Sequence, residues 1–191
     1  PAGVSPDKTI DALYAFTDCE VSISPNSGVI QDDKPRFYAV DDLLRISADF
    51  TRELIRRELE IELGELREQW HFASLEKIFI EKRIYRKIEE CETWDEIMDT
   101  IHKGLKPHTK HLLRAVTDED VTRLTEIKIK RISKFDSFKA DEHLAKLEGN
   151  IDGVQAKLDN LTETAIGYFK ELKAKYGKGR ERRTEIKPFD T

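Results

Sequence analysis

The sequence predicts a mainly α-helical protein, built on a long antiparallel intramolecular coiled coil. A small helical domain is expected at its tip, and a short β-hairpin region near the N-terminus. Two helical stretches of similar length support this, one with an apolar stripe before Pro107 and one with a heptad seam near the C-terminus. The composition agrees, because 37% charged and 38% hydrophobic residues suit long helices with many solvated positions.

The composition also limits the class of protein. The sequence has no apolar run of the roughly 18 residues that a membrane span needs, so we expect no membrane partner. Cys19 and Cys91 are too few for a disulfide framework, which favours a cytoplasmic location. The chain starts at Pro1 and its single methionine is the internal Met98, so we expect a piece of a larger protein.

The charge is distributed unevenly along the chain. Residues 170–187 contain eight Lys or Arg and three Glu, a net +5, so with a total of −5 the remainder carries −10. One basic end on an acidic body indicates nucleic acid at that end, or only a solvated charged tail. Charge alone leaves both interpretations open.

The first 40 residues read as a loop followed by strands and turns. Residues 1–8 hold two prolines and a glycine, and residues 19–23 alternate apolar and polar side chains. Gly28–Ile30, a turn at residues 31–35 and the apolar residues 37–40 form a predicted hairpin. A region this short cannot bury a core alone, so it should pack on another part of a larger protein.

A descending helix is predicted over residues 41–73. Its apolar residues follow helical spacing, with one five-residue step between Leu54 and Leu59 that shifts the stripe. Denser apolar residues then begin at Leu75, which indicates entry into a globular domain over residues 74–138.

Two capping boxes organise that domain. Thr93 with Glu96 opens a short helix that Gly104 should stop, and Thr117 with Asp120 opens another. The apolar residues of the second helix cover about 200° of its surface, twice an ordinary stripe. Such a helix buries two sides, one of them against a partner protomer, or it is simply sunk in its own small domain.

The strongest pattern is a heptad seam in an ascending helix over residues 139–176, ahead of a basic segment at 177–191. From Ala140 to Leu172 the apolar steps alternate between four and three over 32 positions, or about 48 Å of helix. A seam this narrow needs a partner helix, and the descending helix has a similar length. The seam is carried by Leu144, Leu147, Ile151, Val154, Leu158, Leu161, Tyr168 and Leu172.

The sequence offers little chemistry. It has no phosphate-binding glycine loop and no Ser/His/Asp set that spacing alone would propose. His102, His108 and His111 lie near Cys91 without the spacing of a zinc site, so we predict no metal. We therefore assign no catalytic residue.

Five motifs, in order, resemble the A subunits of bacterial type IIA DNA topoisomerases, that is, of topoisomerase IV and gyrase. They are residues 11–26, the turn Asp32-Asp33-Lys34-Pro35, Glu53–Arg57, Leu124–Ile132 and Tyr176–Ile186. Residues 70–80 look closer to the topoisomerase IV type. The resemblance spans nearly the whole chain, from the end of the tower-like region (residues 1–40) through the coiled coil to the exit gate.

The resemblance implies an ATP-dependent isomerase that passes one DNA duplex through another. The passing duplex leaves through a gate at the tips of two coiled coils, one from each half of a homodimer. ATP and Mg would act through the ATPase B subunit, with no cofactor on this chain, and the enzyme would be associated with the nucleoid. The family's catalytic tyrosine follows an arginine, whereas none of the five tyrosines here does, so this chain alone should cut no DNA.

The resemblance also assigns two binding regions. The dimer gate would include Leu124, Ile127, Ile129, Ile132, Phe135 and Phe138. Double-stranded DNA would meet the basic end, through Lys175, Lys178, Arg180, Arg182 and Arg183. The alternative is a non-enzymatic coiled-coil adaptor that joins proteins, which explains the heptads but not the five ordered motifs.

Overall fold

The computed structural model describes residues 3, 5–24, 26–181 and 183–184. The chain divides into two compact units, Pro1–Asp49 and Phe50–Thr191. The first unit contains helix α1 (Pro6–Phe16), strands β1 (Ser27–Gln31) and β2 (Lys34–Tyr38), and the start of helix α2 (Val40–Glu81). The remaining helices belong to the second unit.

Residues 6–16 form helix α1 where the sequence predicted a loop followed by strands and turns, so this part of the prediction was wrong. Ser5 is the extended N-cap, Pro6 takes the first turn and Asp7 places a carboxylate near the positive end of the helix. Ile10, Leu13 and Tyr14 then follow helical spacing. Residues 20–24 form no strand despite their alternating side chains, so the proline-led start signal was the informative one.

The predicted hairpin is confirmed. Strand β1 pairs antiparallel with β2, with Val29 opposite Arg36 and Gln31 opposite Lys34. Asp32 and Asp33 form the two-residue turn with φ of 50° and 58°. Positive φ at both positions matches the twist of the strands, and aspartate tolerates this conformation better than most residues.

The antiparallel coiled coil is confirmed within the second unit. Leu59 and Leu63 of α2 pack against Val154 of α6 (Ser137–Asp159). Polar pairs along the same two helices show the direction, because the α6 partner falls in number as the α2 residue rises. These pairs are Arg67 with Gln155, Trp70 with Glu148 and Lys77 with Asp141.

The ascending helix breaks at Asn160, so the prediction of one continuous helix was wrong there. Helix α6 ends at Asp159 and α7 runs from Leu161 to Tyr176. The Asn160 side chain donates to the Ala156 carbonyl at 3.1 Å, and the Thr164 hydroxyl donates to the Lys157 carbonyl at 3.0 Å. Side-chain bonds of this kind compete with the helix ladder, and they satisfy backbone carbonyls at the break.

The tip is a small helical domain after α2. It contains a 3₁₀ helix (Ile84–Glu90), α3 (Trp94–Leu105), a second 3₁₀ helix (Lys106–His111), α4 (Asp118–Thr125) and α5 (Ile129–Ser133). Both predicted capping boxes are present, at Thr93 with Glu96 and at Thr117 with Asp120. One core joins α2, α3 and α4, and its buried members are Leu75, Phe79, Ile80, Ile84, Ile101, Leu105, Val121 and Leu124.

Gly104 does not stop α3, which contradicts the prediction. It lies inside the helix, where an added Cβ would meet Ile84 Cγ2 at 2.9 Å. Gly104 is therefore a close-packing position against the first 3₁₀ helix.

The predicted wide apolar helix is two short helices. Helix α4 ends at Thr125, the backbone of Lys128 is extended with ψ of 137°, and α5 starts at Ile129. The β-branched residues Thr125, Ile127 and Ile129 disfavour a continuous helix, and the Thr125 hydroxyl bonds back to the Thr122 carbonyl at 2.6 Å. The break therefore distributes the apolar residues over two helices instead of around the surface of one.

Candidate interaction site on the helical tip

A polar network, with Asp120 buried, Arg114 half-buried and Glu68 exposed, fixes the base of the tip. Arg114 donates to both oxygens of Glu68 on α2, at 2.8 and 2.7 Å. It also donates to both oxygens of Asp120 on α4, at 2.6 and 2.9 Å. One guanidinium thus joins two helices through paired, charge-assisted hydrogen bonds.

Asp120 is the most constrained carboxylate of this network. Burial would raise its pKa, but hydrogen bonds from Arg114 and from the backbone and hydroxyl of Thr117 outweigh that effect and hold the pKa well below its usual range. Asp120 is therefore ionised and serves at once as a helix capping residue and as an anchor for Arg114. The sequence indicated only the capping role.

His71 packs beside this network in neutral form. Its Nε2 lies 3.5 Å from Asp120 Oδ2 without hydrogen-bond geometry, and neither ring nitrogen has a partner among the described residues. Burial and the nearby Arg114 cation lower the pKa of His71, and the attraction of Asp120 only partly offsets them. The ring acts as a packed side chain of α2.

A second polar anchor holds α5. Arg131 donates from Nε to Glu76 Oε1 and from Nη2 to Glu76 Oε2, the second bond being 2.7 Å long. Glu76 is itself buried on α2. The guanidinium of Arg123 lies 4.0 Å from the centre of the Phe72 ring. These contacts fix the segment that carries the predicted gate residues.

The six predicted gate residues fall into three groups. Leu124 is only 1% exposed and belongs to the core. Ile127, Ile132 and Phe135 are half-buried against that core. Ile129 and Phe138 are 83% and 71% exposed. The exposed pair can contact a partner, while the others support the surface from beneath.

The predicted seam residues follow the pattern of burial on α6 and α7. Leu147 and Val154 are buried, and Leu144, Ile151, Leu158, Leu161 and Leu172 are half-buried. Tyr168 is 43% exposed, and it makes an edge contact with Phe169 at 5.6 Å between ring centres. Seven of the eight predicted seam residues are thus buried or half-buried, as the heptad pattern requires, and Tyr168 departs from it.

The basic end lies at the end of α7 and beyond it. Lys175, Lys178, Arg180 and Arg183 are exposed, and Arg182 lies outside the described residues. The backbone N–H of Gly179 donates to Glu181 Oε1 at 3.0 Å. Four exposed cations therefore follow one another within nine residues of sequence.

Sequence reasoning missed a second group of cations on the tip. Segment 123–134 contains Arg123, Lys128, Lys130, Arg131 and Lys134 against one carboxylate, that of Glu126. Their density was visible in the sequence, but the apolar residues between them drew the interpretation toward a buried helix.

Within the part of the chain that the structure describes, no helix is both long enough and apolar enough to cross a membrane. The same residues include no cluster of three or more histidine, cysteine or acidic side chains able to hold a metal ion.

The comparisons with known proteins point to one family. The family model for the A subunit of DNA gyrase/topoisomerase IV matches residues 1–173. The chain is 31% identical over 186 residues to the A subunit of DNA topoisomerase 4 from Borreliella burgdorferi, covering 97% of this chain and 30% of that protein. It is 22% identical over 153 residues to the A subunit of DNA gyrase from Lawsonia intracellularis, covering 78% of this chain and 17% of that protein. The chain thus spans less than a third of these relatives. Because the family model matches most of its residues, the chain belongs to the family of DNA gyrase/topoisomerase IV A subunits.

Proposed function

We propose that this chain supplies the coiled-coil arm and the exit-gate contact of a DNA topoisomerase A subunit, and that two copies meet at their tips. The observation that carries the proposal is the exposure of Ile129 and Phe138 beside a tip whose other predicted gate residues are packed on the core. Two large apolar side chains left in water on a well-packed domain favour contact with another surface.

The scale of this surface fits a gate that opens and closes. A contact built around a few apolar side chains buries far less area than a permanent interface, so a modest free energy separates the closed and open states. Anchors on α2 hold the supporting residues in place, through Arg131 with Glu76 and through Arg114 with Glu68. The contact surface is therefore presented by a rigid base.

The coiled coil suits the role of an arm. The α2–α6 pair has an apolar seam and four polar cross-links among the described residues, which resist sliding of one helix along the other. A stiff pair transmits a displacement at one end to the other, which a gate at its tip requires.

In the whole protein we infer ATP-dependent passage of one DNA duplex through a break in another, as expected for relatives named topoisomerase 4 and gyrase. ATP and Mg would act on the B subunit. None of Tyr14, Tyr38, Tyr85, Tyr168 and Tyr176 follows an arginine, so the chain by itself is inactive in DNA cleavage. Its exposed basic end, including Lys175 and Arg180, would contact DNA phosphates.

The test compares the light-scattering mass of three single variants at equal concentration. Ile129→Glu and Phe138→Glu place a charge in the proposed contact and should shift the chain from dimer to monomer. Ile61→Glu is the matched control, because Ile61 is 64% exposed on α2 and lies outside the proposed gate. Equal masses for all three variants would overturn the assignment of the gate to these two residues.

A further inference from the structure

A basic groove on the tip remains outside the proposed apolar contact. It is an open groove of about 680 Å³ between α2 and segment 123–134, called here the tip groove. Phe72 and Glu76 line it from α2, with Glu126 and Ile127 opposite. Its cations are Arg123, Lys128, Lys130, Arg131 and Lys134.

The cations of the tip groove are only partly used within the chain. Arg131 is bound to the buried carboxylate of Glu76, and Arg123 lies over Phe72. Lys128, Lys130 and Lys134 have no ion-pair partner among the described residues, although ion pairs occur at many other lysines and arginines of the chain. Glu76 is neutralised by Arg131, which leaves Glu126 as the lining carboxylate to set against three lysines.

The tip groove is strongly positive although the chain as a whole is negatively charged. The whole sequence carries −5, yet segment 123–134 has five cations and one carboxylate, a net +4. Like charges gathered on one short segment cost free energy in the isolated protein, and a polyanion in the groove relieves that cost. The charge pattern therefore points to an anionic partner.

A second copy of the chain is a poor occupant of the tip groove. In a two-fold contact through the groove itself, the same cations of both copies would face each other. Their cations would then repel each other unless an anion lay between or beside them. Duplex DNA carries one negative charge per roughly 1.7 Å of helix axis, a density that suits several lysines on one short segment.

We propose that the tip groove binds the phosphate backbone of duplex DNA through Lys128, Lys130 and Lys134. The inference rests on the proposed function, in which a duplex passes the gate. Binding is independent of sequence and falls with salt, because lysines on phosphates release counterions. It is a site separate from the basic end that begins near Lys175, and it places a DNA contact beside the apolar gate.

The experiment removes the basic end first, so that the tip groove is measured alone. The background is the full chain with Lys175, Lys178, Arg180, Arg182 and Arg183 changed to Gln. The groove variant adds Lys128→Gln, Lys130→Gln and Lys134→Gln. The matched control adds Lys87→Gln, Lys146→Gln and Lys157→Gln instead, which removes equal charge at exposed positions elsewhere in the second unit. The probe is a fluorescent 30-base-pair duplex, and anisotropy gives its affinity between about 50 and 200 mM salt.

We expect the slope of log affinity against log salt to shrink by about 2 to 3 in the groove variant, since each phosphate contact contributes about 0.9. The loss of DNA affinity between about 50 and 200 mM salt then becomes up to about 40-fold smaller than in the background protein. The control should change the slope by less than about 1. Equal slopes in the groove variant and the control overturn the proposal.

Light scattering and circular dichroism on the same proteins separate the two proposals. The groove variant should keep the mass and the thermal midpoint of its background. A loss of mass with unchanged DNA affinity would assign the lysines to a protein contact and overturn the DNA site. A monomer that retains lysine-dependent DNA binding would overturn the gate alone.

Discussion

Arg114 and Asp120 form a bidentate ion pair, with Nη1 of Arg114 2.6 Å from Oδ2 of Asp120 and Nη2 2.9 Å from Oδ1. Asp120 is buried, and the same guanidinium also holds Glu68 on α2. The pair therefore connects the start of α4 to the coiled coil, and through α4 it supports the core beneath the proposed gate.

Arg114→Ala should destabilise the tip by about 3 kcal/mol or more, because it leaves a buried carboxylate without its cation. Urea unfolding followed by tryptophan fluorescence measures this, since Trp70 and Trp94 both lie in the second unit. Arg56→Ala is the control and should change little, because Arg56 pairs with Glu53 and Glu60 on the exposed surface of a single helix. Equal losses in both variants would contradict the role given to the pair.

His71 should make stability fall as the pH drops below 6.5, the usual pKa of a histidine side chain. Its pKa is lowered from 6.5 in the folded state, so the unfolded chain binds the proton more readily. The stabilisation is complete above the unfolded pKa and is lost as the pH falls through the folded one. The slope approaches at most about 1.4 kcal/mol per pH unit.

His71→Phe should flatten that pH dependence whatever it does to stability at neutral pH. His143→Gln, at an exposed position on α6, is the control for replacing a histidine away from Asp120. Urea unfolding at four pH values gives the slopes. An unchanged slope in His71→Phe would show that another group titrates in this window.

Gly104→Ala and Gly149→Ala should have opposite effects. Alanine gains about 1 kcal/mol over glycine in a helix, and Gly149 has open space around it. At Gly104 the new methyl group meets buried Ile84, and overpacking of this kind costs about 1 to 3 kcal/mol. We expect Gly149→Ala to raise the urea midpoint and Gly104→Ala to lower it. A rise at both positions would mean that Ile84 moves without cost.

The sequence predicted the elements that depend on local residue patterns. It did not predict the features that depend on contacts between residues distant in the sequence. The heptad through Leu147 and Val154 predicted the coiled coil, and Asp32-Asp33 predicted the hairpin turn, because both patterns carry their own geometry. The break at Asn160 interrupts neither the seam nor the heptad count, so periodicity could not show it.

The candidate site was predicted only in part for the same reason. Counting apolar residues found Ile129 and Phe138 but also Leu124, since the sequence does not tell a buried isoleucine or leucine from an exposed one. Arg114 lies 46 residues from Glu68, and no local pattern links them. The tip groove likewise depends on α2 lying opposite segment 123–134.

The most direct test of the gate is the light-scattering mass of the unaltered chain, over a dilution series and at two salt concentrations. We expect a mass near twice 22.2 kDa that falls on dilution but not with added salt, because the contact is apolar. A mass of 22.2 kDa at every concentration would contradict a gate formed by this chain. A dimer that dissociates in salt would contradict the contact through Ile129 and Phe138 and favour a charged interface.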